Sequence, residues 1–207
     1  MPFPAYSSLG EVLQEFQIRS TQRDYIVEID CEIRPYFREE LEFCWHELVF
    51  DNSEYAICEN LIYPILKEVY RGFTAEFTLW SHQFIRYTDR LSGTPDYLLS
   101  KKSDLGREVL EQPFLIVVEA KQDDFGRGWG QCLAEMVAVR EMNINSEQLT
   151  VFGIVTNGKV WEFGQLKNML FTKNFTAYTI YDLDRLFGAV RYVFQQCQQE
   201  LAAIAHS

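Results

Sequence analysis

The chain has 207 residues, of which 47% are hydrophobic and 15% aromatic, and it carries a formal net charge of −11. This size and composition suit one folded domain with a full core and exclude a globally disordered chain. The acidic balance excludes a protein whose whole surface attracts nucleic acid, because phosphate binding depends on clustered positive charge. No apolar run approaches the roughly 20 residues that span a bilayer, so we expect no membrane segment.

The first third of the chain is dominated by helical spacing of apolar residues. Ser53 is a typical N-cap for the clearest of these segments, and Pro64 lies inside it, which predicts a kink. Helices are predicted over residues 7–20 and 54–70, a short strand over 25–29, and residues 36–49 are ambiguous but fit a helix.

From residue 73 onwards the apolar residues alternate with polar ones, which is typical of strands. The run 114–118 is apolar throughout and predicts a central strand covered on both faces. Asn157-Gly158 is a strong hairpin signal. Strands are predicted over 73–79, 96–99, 114–118, 150–156 and 160–163, with further extended pieces in 170–180, and helices over 129–142 and 182–205. This order predicts an α/β fold with a mixed sheet and helices on its faces.

Two short segments carry the charged groups that suggest a chemistry. Asp96 follows Pro95 at the start of one apolar strand, and Glu119-Ala120-Lys121 ends the central one. Side chains alternate along a strand, so Glu119 and Lys121 point the same way. Two converging carboxylates with an adjacent ammonium suit a hard divalent cation and a reacting phosphate.

These segments resemble a known family. Gly93-Thr94-Pro95-Asp96-Tyr97, Val118-Glu119-Ala120-Lys121, Gln131 on the next helix and the later Val155-Thr156-Asn157-Gly158 resemble the PD-(D/E)XK nuclease superfamily. They look closest to the nuclease domains of type I restriction subunits and related uncharacterised proteins, over roughly residues 55–165. The resemblance implies a restriction-endonuclease-like αβββαβ core with a mixed central sheet flanked by helices, here with extra N- and C-terminal helices.

The resemblance also implies roles for the residues of the motif. Asp96 and Glu119 match the carboxylates that hold Mg²⁺ or Mn²⁺, and the carbonyl of Ala120 is implied as a further metal ligand. Lys121 matches the catalytic lysine, which orients the attacking water or neutralises developing charge.

Two further positions on the flanking helices match the family pattern. Gln131 matches a glutamine that orients the lysine or the substrate. Glu59 matches an acidic residue on the helix before the first strand that contacts a metal-bound water, although Glu54 and Glu68 lie on the same predicted helix.

The expected organisation is a single nuclease-like domain over residues 1–207. It comprises an N-terminal extension (1–52), the core (53–166) and a C-terminal strand and helix that pack on the core (167–207). The scattered cysteines at positions 31, 44, 58, 132 and 197 form no C-x-x-C pair, which predicts neither a zinc site nor a disulfide framework and favours a cytoplasmic location. The aromatic-rich terminal helices form either core or a homodimer face.

The sequence therefore predicts a metal-dependent nuclease that hydrolyses phosphodiester bonds of a nucleic acid. Because a fold does not fix a function, two alternatives stay open. The chain is either a catalytically silent nuclease-fold module that binds or regulates, or a subunit that cleaves only beside a partner with a basic surface.

Overall fold

A mixed sheet of eight strands forms the centre of the computed structural model, which describes residues 3–143 and 149–205. Its order is β1-β9-β8-β7-β6-β5-β2, with β10 beside β8, while β3 and β4 pair separately. The strands are β1 (Arg19–Gln22), β2 (Phe77–Ser81), β3 (Ile85–Arg86), β4 (Ser92–Gly93), β5 (Tyr97–Lys101), β6 (Glu111–Ala120), β7 (Thr150–Thr156), β8 (Val160–Lys167), β9 (Leu170–Lys173) and β10 (Tyr178–Thr179).

Helices cover both faces of this sheet. The helices are α1 (Leu9–Phe16), α2 (Pro35–Glu47), α3 (Glu54–Ile57), α4 (Tyr63–Tyr70), α5 (Phe125–Met142) and α6 (Leu183–Ala205). One hydrophobic cluster contains α4 and α6, and the other contains α1 and α5. Strand β6 contributes Val118 to the first cluster and Val117 to the second, so its continuous apolar run is buried on both sides. The predicted mixed α/β architecture with helices on both faces is thereby confirmed.

The predicted strand over residues 25–29 is wrong. The backbone N–H groups of Tyr25 and Ile26 donate to Oδ1 of Asn174, at 2.9 and 3.2 Å, instead of joining a strand ladder. The strand of this region is β1, which pairs in parallel with β9. All residues of β1 are polar and exposed, so it lacks the apolar alternation that identifies a strand in a sequence.

The predicted helix 54–70 is interrupted by a π-helical turn, Cys58–Ile62, between α3 and α4. The N–H of Tyr63 donates to the carbonyl of Cys58, five residues earlier. Pro64 has no N–H to offer the carbonyl four residues before it and its ring crowds that carbonyl, so a local change of helical geometry there has a clear cause.

Three strands meet at the edge of the sheet that carries the charged motif. β6 and β7 are parallel, joined by α5, and Ala120 lies beside Thr156. β5 is antiparallel to β6 and pairs Tyr97 with Val118. Since Asp96 immediately precedes β5, this register brings it beside the end of β6.

We predict that Asn143 stabilises the position of β6 against α5. Its Oδ1 accepts from the N–H of Phe114 at 2.8 Å and its Nδ2 donates to the Phe114 carbonyl at 2.7 Å, all buried. Asn143→Ala leaves both backbone groups without partners, so we expect the free energy of unfolding to fall by about 2–4 kcal/mol in urea denaturation. The exposed Asn52→Ala serves as control, with an expected change within about 0.5 kcal/mol. Equal losses for the two variants would contradict this assignment.

Candidate active site

Asp96 is fixed at the end of β6 by the backbone. The N–H of Ala120 donates to its Oδ2 at 2.7 Å, and Nε2 of His82 lies 3.5 Å from its Oδ1. Burial raises the pKa of Asp96, although the Ala120 N–H and the Lys121 ammonium oppose that rise. The side chain keeps 21% of its surface exposed, so it remains accessible from solvent.

Glu119 and Lys121 point to the same side of β6, as strand alternation predicts. Nζ of Lys121 lies 2.6 Å from Oε1 of Glu119 and 3.7 Å from Oε2 of Glu54. Burial lowers the pKa of Lys121, but Glu119 and the other carboxylates more than offset this and leave it raised. Burial and then the charge of Asp96 raise the pKa of Glu119, whose side chain is only 2% exposed.

A further carboxyl group, Glu135, lies behind Glu119 on α5. It is fully buried, and neither of its oxygens nor Oε2 of Glu119 has a hydrogen-bond partner of good geometry, although Gln131 lies close enough to oppose the rise in the pKa of Glu135. Burial and then the neighbouring Glu119 raise the pKa of Glu135 well above its usual value. Two buried carboxyl groups in contact require either a shared proton or a nearby cation.

These groups open onto a cleft of about 730 Å³. Asp96, Glu119, Lys121 and Gln131 all line it, so the structure brings these four predicted residues together. The lining residues are Glu54, Tyr55, His82, Thr94, Asp96, Glu119, Lys121, Gln122, Asp123, Asp124, Arg127 and Gln131. Gln131 is 8% exposed and interacts with Glu135, which places it against the buried carboxyl pair.

Glu59 is not among the residues that line the cleft. It lies on the π-helical turn with an exposed side chain. The acidic residue that this helical segment contributes is Glu54, in the first turn of α3, whose Oε1 also accepts from the N–H of Gln122 at 3.4 Å. The sequence alone could not show which of the three acidic residues of the predicted helix reaches the cleft, because that depends on how α3 meets the sheet.

Sequence reasoning missed Glu135 and His82. Glu135 had a signal, since it is a charged residue four positions after Gln131 within an otherwise apolar stretch of helix. His82 had none. Its position depends on a hydrogen bond from its backbone N–H to the carbonyl of Asp96, which joins the two ends of the segment between β2 and β5.

Gly128 allows α5 to approach the lysine closely. A Cβ at this position would lie 2.8 Å from Cγ1 of Val155 and 2.9 Å from Cγ of Lys121. Just before it, the side chain of Asp124 caps the helix by accepting from the N–H of Arg127 at 2.9 Å. Asp124 thus has a structural role as the N-cap of α5.

The oxygen donors of Asp96 and Glu119 are of the chemical type that magnesium and manganese prefer. In the described ranges, no group of three or more His, Cys, Asp or Glu side chains is arranged to hold a metal ion. Magnesium, however, keeps several waters and needs only one or two protein carboxylates, here Asp96 and Glu119. The backbone N–H and C=O of one residue in a strand point toward the same neighbouring strand. Because the N–H of Ala120 donates to Asp96, the Ala120 carbonyl also points to the side of the sheet on which Asp96 lies.

No protein-family model matches the chain, and no curated protein matches it significantly. Among the described residues, no helix combines the length and apolar character needed to cross a bilayer.

We predict that Glu135→Gln stabilises the metal-free protein. The amide removes the cost of a buried carboxyl group without a donor and offers an N–H to Oε2 of Glu119, so the free energy of unfolding should rise by about 1–3 kcal/mol. Because the pKa of Glu135 is raised on folding, the folded state holds its proton more tightly, and the penalty grows as pH rises above the usual value of 4.5.

Thermal melts with EDTA at pH 5 and pH 8 measure this effect. The gain should be larger at pH 8, and the exposed Glu108→Gln should show no such gain. A lower melting temperature for Glu135→Gln at both pH values would contradict the prediction.

Proposed function

We propose that the protein is a metal-dependent nuclease that hydrolyses phosphodiester bonds at the cleft between β5, β6 and α5. The observation that carries this proposal is the convergence of Asp96, Glu119 and Lys121 at one edge of the sheet. Two carboxyl groups meet a single ammonium there, and the cleft is open to a substrate.

A restriction-endonuclease-like core is part of the proposal. When β3 and β4, which pair separately between β2 and β5, are set aside, the order of the elements is αβββαβ: the helical segment α3–α4, the strands β2, β5 and β6, the helix α5 and the strand β7. The first three strands are antiparallel neighbours and β7 is parallel to β6. This order and these directions support the assignment, because they agree with what the resemblance to PD-(D/E)XK nucleases implies.

Asp96, Glu119 and the Ala120 carbonyl would hold Mg²⁺ or Mn²⁺. When bound, the cation polarises the phosphate and lowers the pKa of a water that attacks it. Lys121, which is 14% exposed and lines the cleft, neutralises charge that builds on the phosphate. Glu135 lies against the buried side of Glu119, Gln131 interacts with Glu135, and both act as positioning residues.

We predict that Asp96→Asn and Lys121→Ala each lower cleavage by about 100-fold or more, since each removes a charge that acts directly on the reacting phosphate. The measurement is release of a fluorophore from single-stranded DNA, duplex DNA and RNA, with Mg²⁺ or Mn²⁺ present.

Matched controls come from the far end of the same strand. Lys101 ends β5 and Asp104 follows it, both with exposed side chains. Lys101→Ala and Asp104→Asn should retain cleavage within about two-fold, as expected for surface substitutions outside the site. Cleavage that survives Asp96→Asn would show that the activity does not belong to this cleft. No cleavage by the wild-type chain of any substrate would favour the silent or partner-dependent alternatives.

A further inference from the structure

An exposed tyrosine stands at the mouth of the cleft. Tyr55 lines the cleft and keeps 76% of its surface exposed. It follows Glu54, which contacts Lys121, so its backbone is attached directly to the charged cluster. An aromatic ring in this position presents an apolar face to anything that enters the cleft.

A series of aromatic rings holds Tyr55 in place. Its ring centroid lies 6.2 Å from that of His82, which lies 6.0 Å from Tyr97, and Tyr97 stacks at 5.8 Å on Tyr63. Tyr97 is buried, and its hydroxyl donates to the carbonyl of Cys58 at 3.2 Å. The outer ring therefore belongs to a series of ring contacts, tilted at His82 and edge-on at Tyr97, that reaches the buried Tyr97, so a flat ligand would meet a partly preorganised surface.

The charges around the cleft disfavour a duplex. Binding of duplex DNA relies on many phosphate contacts from Lys and Arg. Five acidic residues line the cleft, against two basic ones, Lys121 and Arg127. Stacking of bases on aromatic rings adds about 1–3 kcal/mol per base to whatever phosphate contacts are made, and it requires unpaired bases.

We propose that the cleft accepts single-stranded nucleic acid, with an unpaired base stacked on Tyr55. This inference rests on the proposed nuclease function and adds its substrate class. Stacking tolerates any base and either sugar, so both single-stranded DNA and single-stranded RNA fit the surface.

The test measures binding rather than cleavage. Fluorescence anisotropy with Ca²⁺ in place of Mg²⁺ gives the dissociation constants of a fluorescein-labelled 12-mer oligothymidylate, a 12-mer oligouridylate and a 12-base-pair DNA duplex. We expect both single strands to bind more tightly than the duplex. Tyr55→Ala should weaken single-strand binding by at least about five-fold, the effect expected from loss of one stacked base.

Two control variants make the result specific to the ring at position 55. Tyr55→Phe keeps the stacking face and should bind within about two-fold of the wild type. Phe175→Ala removes another exposed ring, 69% accessible and outside the cleft lining, and should not change binding. Thermal melts should show that all three variants stay folded, since both side chains are largely exposed.

The outcomes separate this inference from the nuclease proposal. Equal or tighter binding of the duplex, or unchanged single-strand binding by Tyr55→Ala, overturns the inference, and Asp96-dependent cleavage would still support the nuclease. Absence of both binding and cleavage for every probe contradicts the two proposals together.

Discussion

The constraint on which the candidate site depends is an excess of carboxyl groups over ammonium groups at the end of the central strand, β6. Glu119 is buried against Asp96 and Glu135, and the ammonium that contacts it, from Lys121, is shared with Glu54. Carboxyl groups so close together cannot all ionise unless more positive charge is present. Proton uptake relieves this repulsion in the free protein, and at the proposed site a divalent cation would relieve it and supply a Lewis acid beside the cleft. The same imbalance that weakens the fold therefore prepares the proposed site to bind metal.

The rest of the fold keeps these groups in place. Strand β6 is buried on both faces, so its end cannot shift without disturbing two hydrophobic clusters. The absence of a side chain at Gly128 allows α5, with Gln131 and Glu135, to pack directly against Lys121 and β7. Rigid elements hold the groups of a site within the small positional limits that the proposed phosphate chemistry requires. The series of ring contacts from Tyr97 through His82 to Tyr55 connects the buried core with the mouth of the cleft.

Features that arise within one strand were predictable from the sequence. The alternation of Glu119, Ala120 and Lys121 and the continuous apolar run before them were sufficient to predict their orientation and burial. The position of Asp96 beside them depended on the resemblance, since no local pattern specifies which strands are neighbours.

Features that depend on packing between distant segments were not predictable. Glu54 rather than Glu59 reaches the lysine because of how α3 meets the sheet, and His82 is positioned by a backbone hydrogen bond to Asp96.

The most direct test of the central claim is an anomalous-difference map from a crystal soaked in Mn²⁺. The account predicts a peak beside Asp96, Glu119 and the Ala120 carbonyl, absent in Asp96→Asn. A map with no peak there, in which the ammonium of Lys121 is the one cation in contact with Glu119, would contradict it.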